Sequence, residues 1–250
     1  MDKYVIITGA NGGIGKALCE IYNKHNYFVI GLDQSYEADN VTKEFANINV
    51  DLFNFVKKEK YRSSIFKKIE FIIGRSDSEL IIINNAAEQI LRFIEDVESS
   101  DLEKSFTVNT MAPLILVKNY IDKLKECNGH VINISSIHAK LTKPEFICYA
   151  ASKAALDSIT RSLALEISKF GISVNSVSPA AISTKMLKEG FKNKPEKLRE
   201  LENYHPSKSI GSPEDVAIFI KSITDHKGGF LTGAVLDYNG GISGRLFDPS

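Results

Sequence analysis

The sequence predicts an α/β fold: a single doubly wound parallel sheet with helices on both faces. Three observations predict it. Short β-prone runs alternate with segments of helical period along the chain. The first run, residues 4–8, ends in a glycine cluster that opens a helix. Residues 80–84 read Leu-Ile-Ile-Ile-Asn, apolar on both faces, as in a strand covered on two sides.

The elements follow in order. After the strand at 4–8, residues 14–25 place Ile14, Ala17, Leu18 and Ile21 on one helical face. Residues 28–33 form a second strand and 48–50 a weaker third. Residues 53–73 read as one helix with lysines outward, followed by the strand at 80–84. A long helical stretch covers about 102–126. Residues 131–134 are a strand, 149–169 a helix and 173–177 a strand. Residues 183–205 are polar and rich in Lys and Glu, without a clean period. Pro213-Glu214-Asp215 opens a helix to 223, and 234–237 is the last strand. No repeat, low-complexity linker or composition break interrupts the chain, so one domain over 1–250 is expected.

Composition bounds the function. A chain of 250 residues, 43% hydrophobic, buries a core without disulfide or metal staples. Lys plus Arg (31) balances Asp plus Glu (31), unlike the basic excess of a nucleic-acid binder. The longest apolar run, 111–117, contains Pro113 and falls far short of the roughly 20 residues of a membrane span. Met1-Asp2-Lys3 and a short apolar stretch to Gly9 do not make a signal peptide. Cys19, Cys127 and Cys148 show no Cys-x-x-Cys pair and read as reduced thiols of a cytoplasmic protein. The histidines show no His-Glu-x-x-His spacing and no Cys/His cluster, so no metal site is expected.

The first strand-to-helix turn reads Thr8-Gly9-Ala10-Asn11-Gly12-Gly13-Ile14-Gly15. Glycines there permit positive φ and close approach of a pyrophosphate, with the N–H groups of a helix N-terminus behind. A tight turn with no ligand is the competing reading, because the spacing is not Gly-x-Gly-x-x-Gly. Asp33 ends the second strand, where a carboxylate accepts hydrogen bonds from adenosine ribose hydroxyls and repels a 2′-phosphate. Asn11, Gly12 and Gln34 supply no offsetting cation, which favours NAD(H) over NADP(H). Asp51, with Leu52 beside it, follows the third strand within reach of the adenine edge or simply in a surface loop.

Tyr149 and Lys153 stand at i and i+4, on one helix face. A cation beside a phenol favours the phenolate; bringing a phenol from near 10 to about 7 takes roughly 4 kcal/mol. The pattern recurs at Tyr204/Lys208, where His205-Pro206 disfavours a helix. Only Tyr149 has a serine, Ser136, thirteen residues upstream at the end of a strand. The carboxyl ends of parallel strands are where ligands sit in such sheets.

With these residues in hand, the chain resembles the short-chain dehydrogenase/reductase family in its compact single-domain, Rossmann-like form. Thr8-Gly9-x-x-x-Gly13-x-Gly15 resembles its cofactor loop and Asn84-Asn85-Ala86-Ala87 its strand-end motif. Asn109, Ser136, Tyr149 and Lys153 match its catalytic residues. Pro179, Ile182 and Thr184 match the segment that touches the nicotinamide, and Gly211-x-Pro213-Glu214-Asp215 and Gly240-Gly241 its C-terminal signatures. The resemblance implies Tyr149 as general acid/base and Ser136 as hydrogen-bond donor to the substrate oxygen. Lys153 would lower the phenol and hold the nicotinamide ribose, and Asn109 would hold a relay water. Ala87, Ala139 and Ala180 replace family glycines, with Ala139 and Ala180 expected close to substrate and nicotinamide.

The expected activity is NAD(H)-dependent interconversion of a secondary alcohol and a ketone, with no metal, nucleic acid or membrane involved. An NADPH-dependent 3-oxoacyl reductase and a catalytically silent dinucleotide-binding relative are the rivals, ahead of a nucleotide-sugar dehydratase or epimerase. His138 lies close enough to Ser136 to line the substrate site. Residues 183–209 resemble the family's substrate lid. Its Lys185, Lys188, Lys192, Lys194, Lys197 and Arg199, with Lys140 and Lys143, would attract an anionic substrate or merely be a solvated surface. Apolar stripes on 102–126 and on the Tyr149 helix imply a homodimer or homotetramer.

Overall fold

The structure, a computed structural model, describes residues 2–74, 78–192 and 194–245, with Lys185 and Met186 described by backbone alone. Its strands are β1 (Asp2–Thr8), β2 (Phe28–Asp33), β3 (Asn40–Val41), β4 (Phe45–Asn49), β5 (Ser78–Asn84), β6 (His130–Ile134), β7 (Ser173–Pro179) and β8 (Val235–Tyr238). They form one sheet in the order β3-β4-β2-β1-β5-β6-β7-β8. All pairings are parallel except β3 with β4. The antiparallel β3 is an addition to the expected sheet: two exposed residues in a polar stretch carry no period. The chain winds from β1 outward through β2 to β4, then returns to place β5 on the other side of β1. That reversal opens a crevice at the carboxyl ends of β1 and β5.

Two apolar layers enclose the sheet. On one face Leu18 and Tyr22 of α1 (Gly13–Lys24) and Val216 and Ile220 of α10 (Pro213–Asp225) cover Val5, Ile7, Ile81, Ile83 and Ile132. On the other, α3 (Glu59–Ile73), α5 (Ala112–Asn119), α6 (Ile121–Cys127) and α7 (Ile147–Ile167) cover Ile6, Ile30, Leu80, Ile82, Val131 and Val174. Leu80 through Ile83 are fully buried, which is why that strand reads as an unbroken apolar run. Among the described residues no helix is long and apolar enough to cross a membrane.

Two expected helices are broken. The one at 53–73 divides into α2 (Leu52–Lys57) and α3 because Lys58 adopts an extended backbone, φ −115° and ψ 103°. Arg62 Nη1 donates to the carbonyls of Phe55 (3.3 Å) and Val56 (2.9 Å), satisfying groups that the break releases. The stretch at 102–126 is α4 (Ser99–Phe106), a π turn (Thr107–Met111), α5 and α6. Asn109 sits in the π turn, and Pro113 occupies the first turn of α5, where its missing N–H costs little. Residues 183–205 contain α8 (Lys185–Gly190) and α9 (Pro195–Tyr204), which the mixed charges concealed.

Candidate active site

An open cleft of about 1600 Å³ runs along the carboxyl edge of the sheet, from the glycine turn past β5 and β6 to α9. The glycines shape its floor. Gly9 has φ +64°, and a Cβ there would lie 2.8 Å from the Ala86 Cα. A Cβ on Gly15 would lie 2.0 Å from the Gly9 carbonyl oxygen, so Gly15 lets α1 start directly behind the turn without lining the cleft itself. Asn85 fixes the turn from β5: its Nδ2 donates to the carbonyls of Thr8 (3.1 Å) and Gly9 (3.0 Å). Thr8 Oγ1 accepts from the amides of Asn85 and Ala86, both at 3.0 Å. Gly9, Asn11, Gly12, Gly13 and Ile14 line the cleft on one side and Asn85, Ala86 and Ala87 on the other.

Asp33 and Asp51 both border this end, with Leu52. Asp33 Oδ1 accepts from Ser35 N (2.9 Å) and Ser35 Oγ (2.6 Å), and Oδ2 from Asn11 N (3.0 Å). The carboxylate is thus fixed, with acceptor capacity left on Oδ2. Asp51 caps α2, accepting from Phe53 N at 2.8 Å and Asn54 N at 3.2 Å. A cradle that side chains would fill, a helix N-terminus and a fixed carboxylate at the switch point match the needs of a dinucleotide.

The other end of the cleft holds Ser136, Tyr149 and Lys153, brought together by the end of β6 and the first turns of α7. Lys153 is 1% exposed; its Nζ donates to the Ile134 carbonyl at 2.6 Å and lies 5.8 Å from the Tyr149 ring centroid. Burial draws Lys153 down to about 8, against the field of Asp157. Burial raises the Tyr149 phenol above its ordinary value, and a hydrogen bond with Ser136 pulls it back. In this arrangement Ser136 is the group that lowers the phenol. Pro179, Ala180, Ile182 and Thr184 line the opposite wall. Thr184 caps α8 by accepting from Leu187 N (3.3 Å), and a Cβ on Gly13 would lie 2.8 Å from its methyl group.

Asn109 lies behind the wall, not in it. Its Nδ2 donates to Glu88 O and Ser152 Oγ, both at 2.9 Å, and its Oδ1 accepts from Glu88 N at 2.7 Å. Both side-chain protons are therefore committed to protein. Ser152 Oγ in turn donates to the Tyr149 carbonyl (2.7 Å), which ties the π turn to α7.

His138 lines the substrate end, stacked on Phe146 with centroids 4.0 Å apart and edge-on to Tyr149. Burial and Lys143 push its imidazole down to about 4, so at neutral pH it is an uncharged wall. The basic rim is partly neutralised: Lys140 pairs with Asp237 at 3.1 Å. Several lining residues were not singled out from the sequence: Phe146, Arg245 and the Glu88–Lys104 ion pair, with Tyr204 and His205 covered only as part of the segment 183–209. Phe146, which precedes the first turn of α7, places its ring 6.2 Å from that of Tyr149. The others arrive by tertiary folding and leave no local signal.

Residues 3–195 match the family described as short chain dehydrogenase. An uncharacterized oxidoreductase of Thermotoga maritima is 33% identical over 245 residues, covering 96% of both chains. A 3-oxoacyl-(acyl-carrier-protein) reductase of Buchnera aphidicola is 33% identical, covering 94% of this chain and 95% of its own. The structure of 4-hydroxyisoleucine dehydrogenase complexed with NADH superposes with a TM-score of 0.87 at 27% identity, over 98% of this chain and 100% of that one. That of ElxO with NADP bound gives 0.85 at 25% identity, with the same coverage.

Proposed function

This chain belongs to the short-chain dehydrogenase family, and from that premise we propose that it interconverts a secondary alcohol and a ketone with Tyr149 as general acid/base. The observation that carries this reading is the meeting of Ser136, Tyr149 and Lys153 at the carboxyl edge of the sheet, in the cleft that begins at the glycine cradle. A bound nicotinamide dinucleotide supplies or accepts the hydride. The glycine turn, Asp33, Asp51, Asn85 and Thr184 hold that dinucleotide; Ser136 orients the substrate oxygen by donating to it. Tyr149 gives a proton to a ketone oxygen or takes one from an alcohol, and the Lys153 ammonium would hold the nicotinamide ribose beside it. Asn109 holds the π turn against α7, leaving relay water to its second Oδ1 lone pair or its main-chain carbonyl. The segment 183–209 covers the substrate.

NAD(H) is the preferred cofactor on this reading, because the fixed Asp33 carboxylate repels a 2′-phosphate. The rival, an NADPH-dependent 3-oxoacyl reductase, draws support from the likeness to the Buchnera reductase. Dinucleotide-monitored screening of alcohols, ketones and a 3-oxoacyl thioester, each with NADH and NADPH, separates the two. Faster turnover with NADH on a small ketone is expected; an NADPH preference with the thioester selects the rival. Tyr149→Phe loses about 10²–10⁴-fold in turnover while still binding NADH, and unchanged turnover defeats the assignment.

Self-association belongs to the same proposal. Leu102, Met111 and Leu114 on α4, the π turn and α5, and Ile147 and Leu165 on α7, are exposed apolar side chains. Light scattering is expected to return a dimer or tetramer mass in the cytoplasmic enzyme.

A further inference from the structure

Asp157 is a buried carboxylate that no step above uses. It lies on α7 one turn beyond Lys153 and is 4% exposed. Two opposite charges thus stand one turn apart on one helix, both removed from water. Burying either alone would be expensive. They do not meet directly: the described hydrogen bond of Lys153 goes to Ile134 O, and Asp157 Oδ1 accepts from Ser176 Oγ of β7 at 2.9 Å. Ser178, two residues along β7 and so on the same face as Ser176, keeps a buried hydroxyl without a protein partner. So does Ser135, just beyond β6. The seam between α7 and the ends of these strands is therefore polar, with hydroxyls still able to carry a hydrogen-bonded link.

The polar and charged groups of this seam can be named by element. Its own helix presents Tyr149, Ser152 and Asp157. β6 and the turn after it present Asn133, Ser135 and Ser136, with His138 beyond Tyr149. β7 presents Ser176 and Ser178, and the π turn presents Asn109 and Thr110, which bind Ser152. Among the described residues Asp157 is the one charge whose field bears on Lys153.

We propose that Asp157 is a positioning residue that keeps Lys153 protonated through neutral pH by compensating its charge inside the seam. Burial acts on Lys153 in the opposite direction, so removing the carboxylate leaves that force unopposed and lowers the pH at which the ammonium is lost. Its catalytic consequence rests on the oxidoreductase reading; its hold on Lys153 does not.

The test has two arms. The first follows the Lys153 side chain by NMR in protein carrying ¹³C-lysine, assigned with Lys153→Met. Asp157→Asn is expected to move the Lys153 midpoint down by about one pH unit or more, whereas Asp157→Glu leaves it near the wild-type value. An unmoved midpoint in Asp157→Asn overturns the proposal. Asn still accepts the Ser176 bond, and Asp157→Ser replaces it if Asn does not fold. The second arm records the pH profile of ketone reduction. Its alkaline limb is expected to descend by the same interval, with turnover at pH 7.5 about threefold lower for a one-unit displacement. A displaced titration with an undisplaced limb overturns the catalytic role. If wild type reduces no ketone, the oxidoreductase reading falls and the titration alone decides the role of Asp157.

Discussion

At the scale of single residues, the phenol and the imidazole give opposite pH expectations. Tyr149 is raised by burial, so it is protonated at neutral pH, ready to donate and slow to accept. Alcohol oxidation is therefore expected to accelerate as pH rises from 7 to 9, and ketone reduction not to; steady-state rates in both directions check this. His138 is depressed from 6.5 to about 4, so between those values the unfolded chain binds more protons than the folded one. Stability conferred by the neutral ring is present above pH 6.5 and is lost as pH falls toward 4. His138→Phe is expected to flatten that acid slope in thermal melts. At Asp33, replacement by Ala removes the charge that opposes a 2′-phosphate, and the ratio of NADPH to NADH affinity is expected to rise about tenfold or more. Ser136, Tyr149, Lys153 and Asp33 were legible because each is defined by a local relation, either a helical interval or a strand end. His205 and Arg245 were not, since only the return of the chain after α9 brings them to the cleft.

Elements were legible where one period dominates and illegible where the backbone departs from it. The central strands and α1, α7 and α10 fall close to expectation. The π turn at Asn109 keeps an apolar pattern while adding a residue to the turn, so periodicity sees only a long helix. α8 is too short for a period to show, and α9 presents only a narrow face, Leu198 and Leu201, among its lysines and glutamates. The glycine turn separates two kinds of constraint. Gly15→Ala drives a Cβ into backbone 2.0 Å away and is expected to cost about 2–3 kcal/mol of stability, read from denaturant unfolding. Gly13→Ala brings a Cβ to 2.8 Å from the Thr184 methyl and 3.4 Å from its Cα, so it is expected to cost less stability than Gly15→Ala while weakening NADH binding severalfold, read by fluorescence titration.

For the molecule as a whole, the sheet order places cradle and tyrosine on one edge because β5 and β6 follow the reversal beside β1. Alternation of strands and helices was enough to read a parallel, doubly wound sheet, but not the order of its strands. The segment expected at 183–209 is tied down near both of its ends, which the sequence did not show. At one end Thr184 rests on Gly13; at the other Ser207 N donates to Gly240 O at 3.1 Å, with Gly240 at φ +60°. The segment is therefore tied to the rest of the chain at both ends. Gly13 and Thr184 line one cleft, so a dinucleotide entering at the glycine turn is expected to steady the segment as it binds. Ordered kinetics follow, dinucleotide first and carbonyl compound second, and product-inhibition patterns would display them.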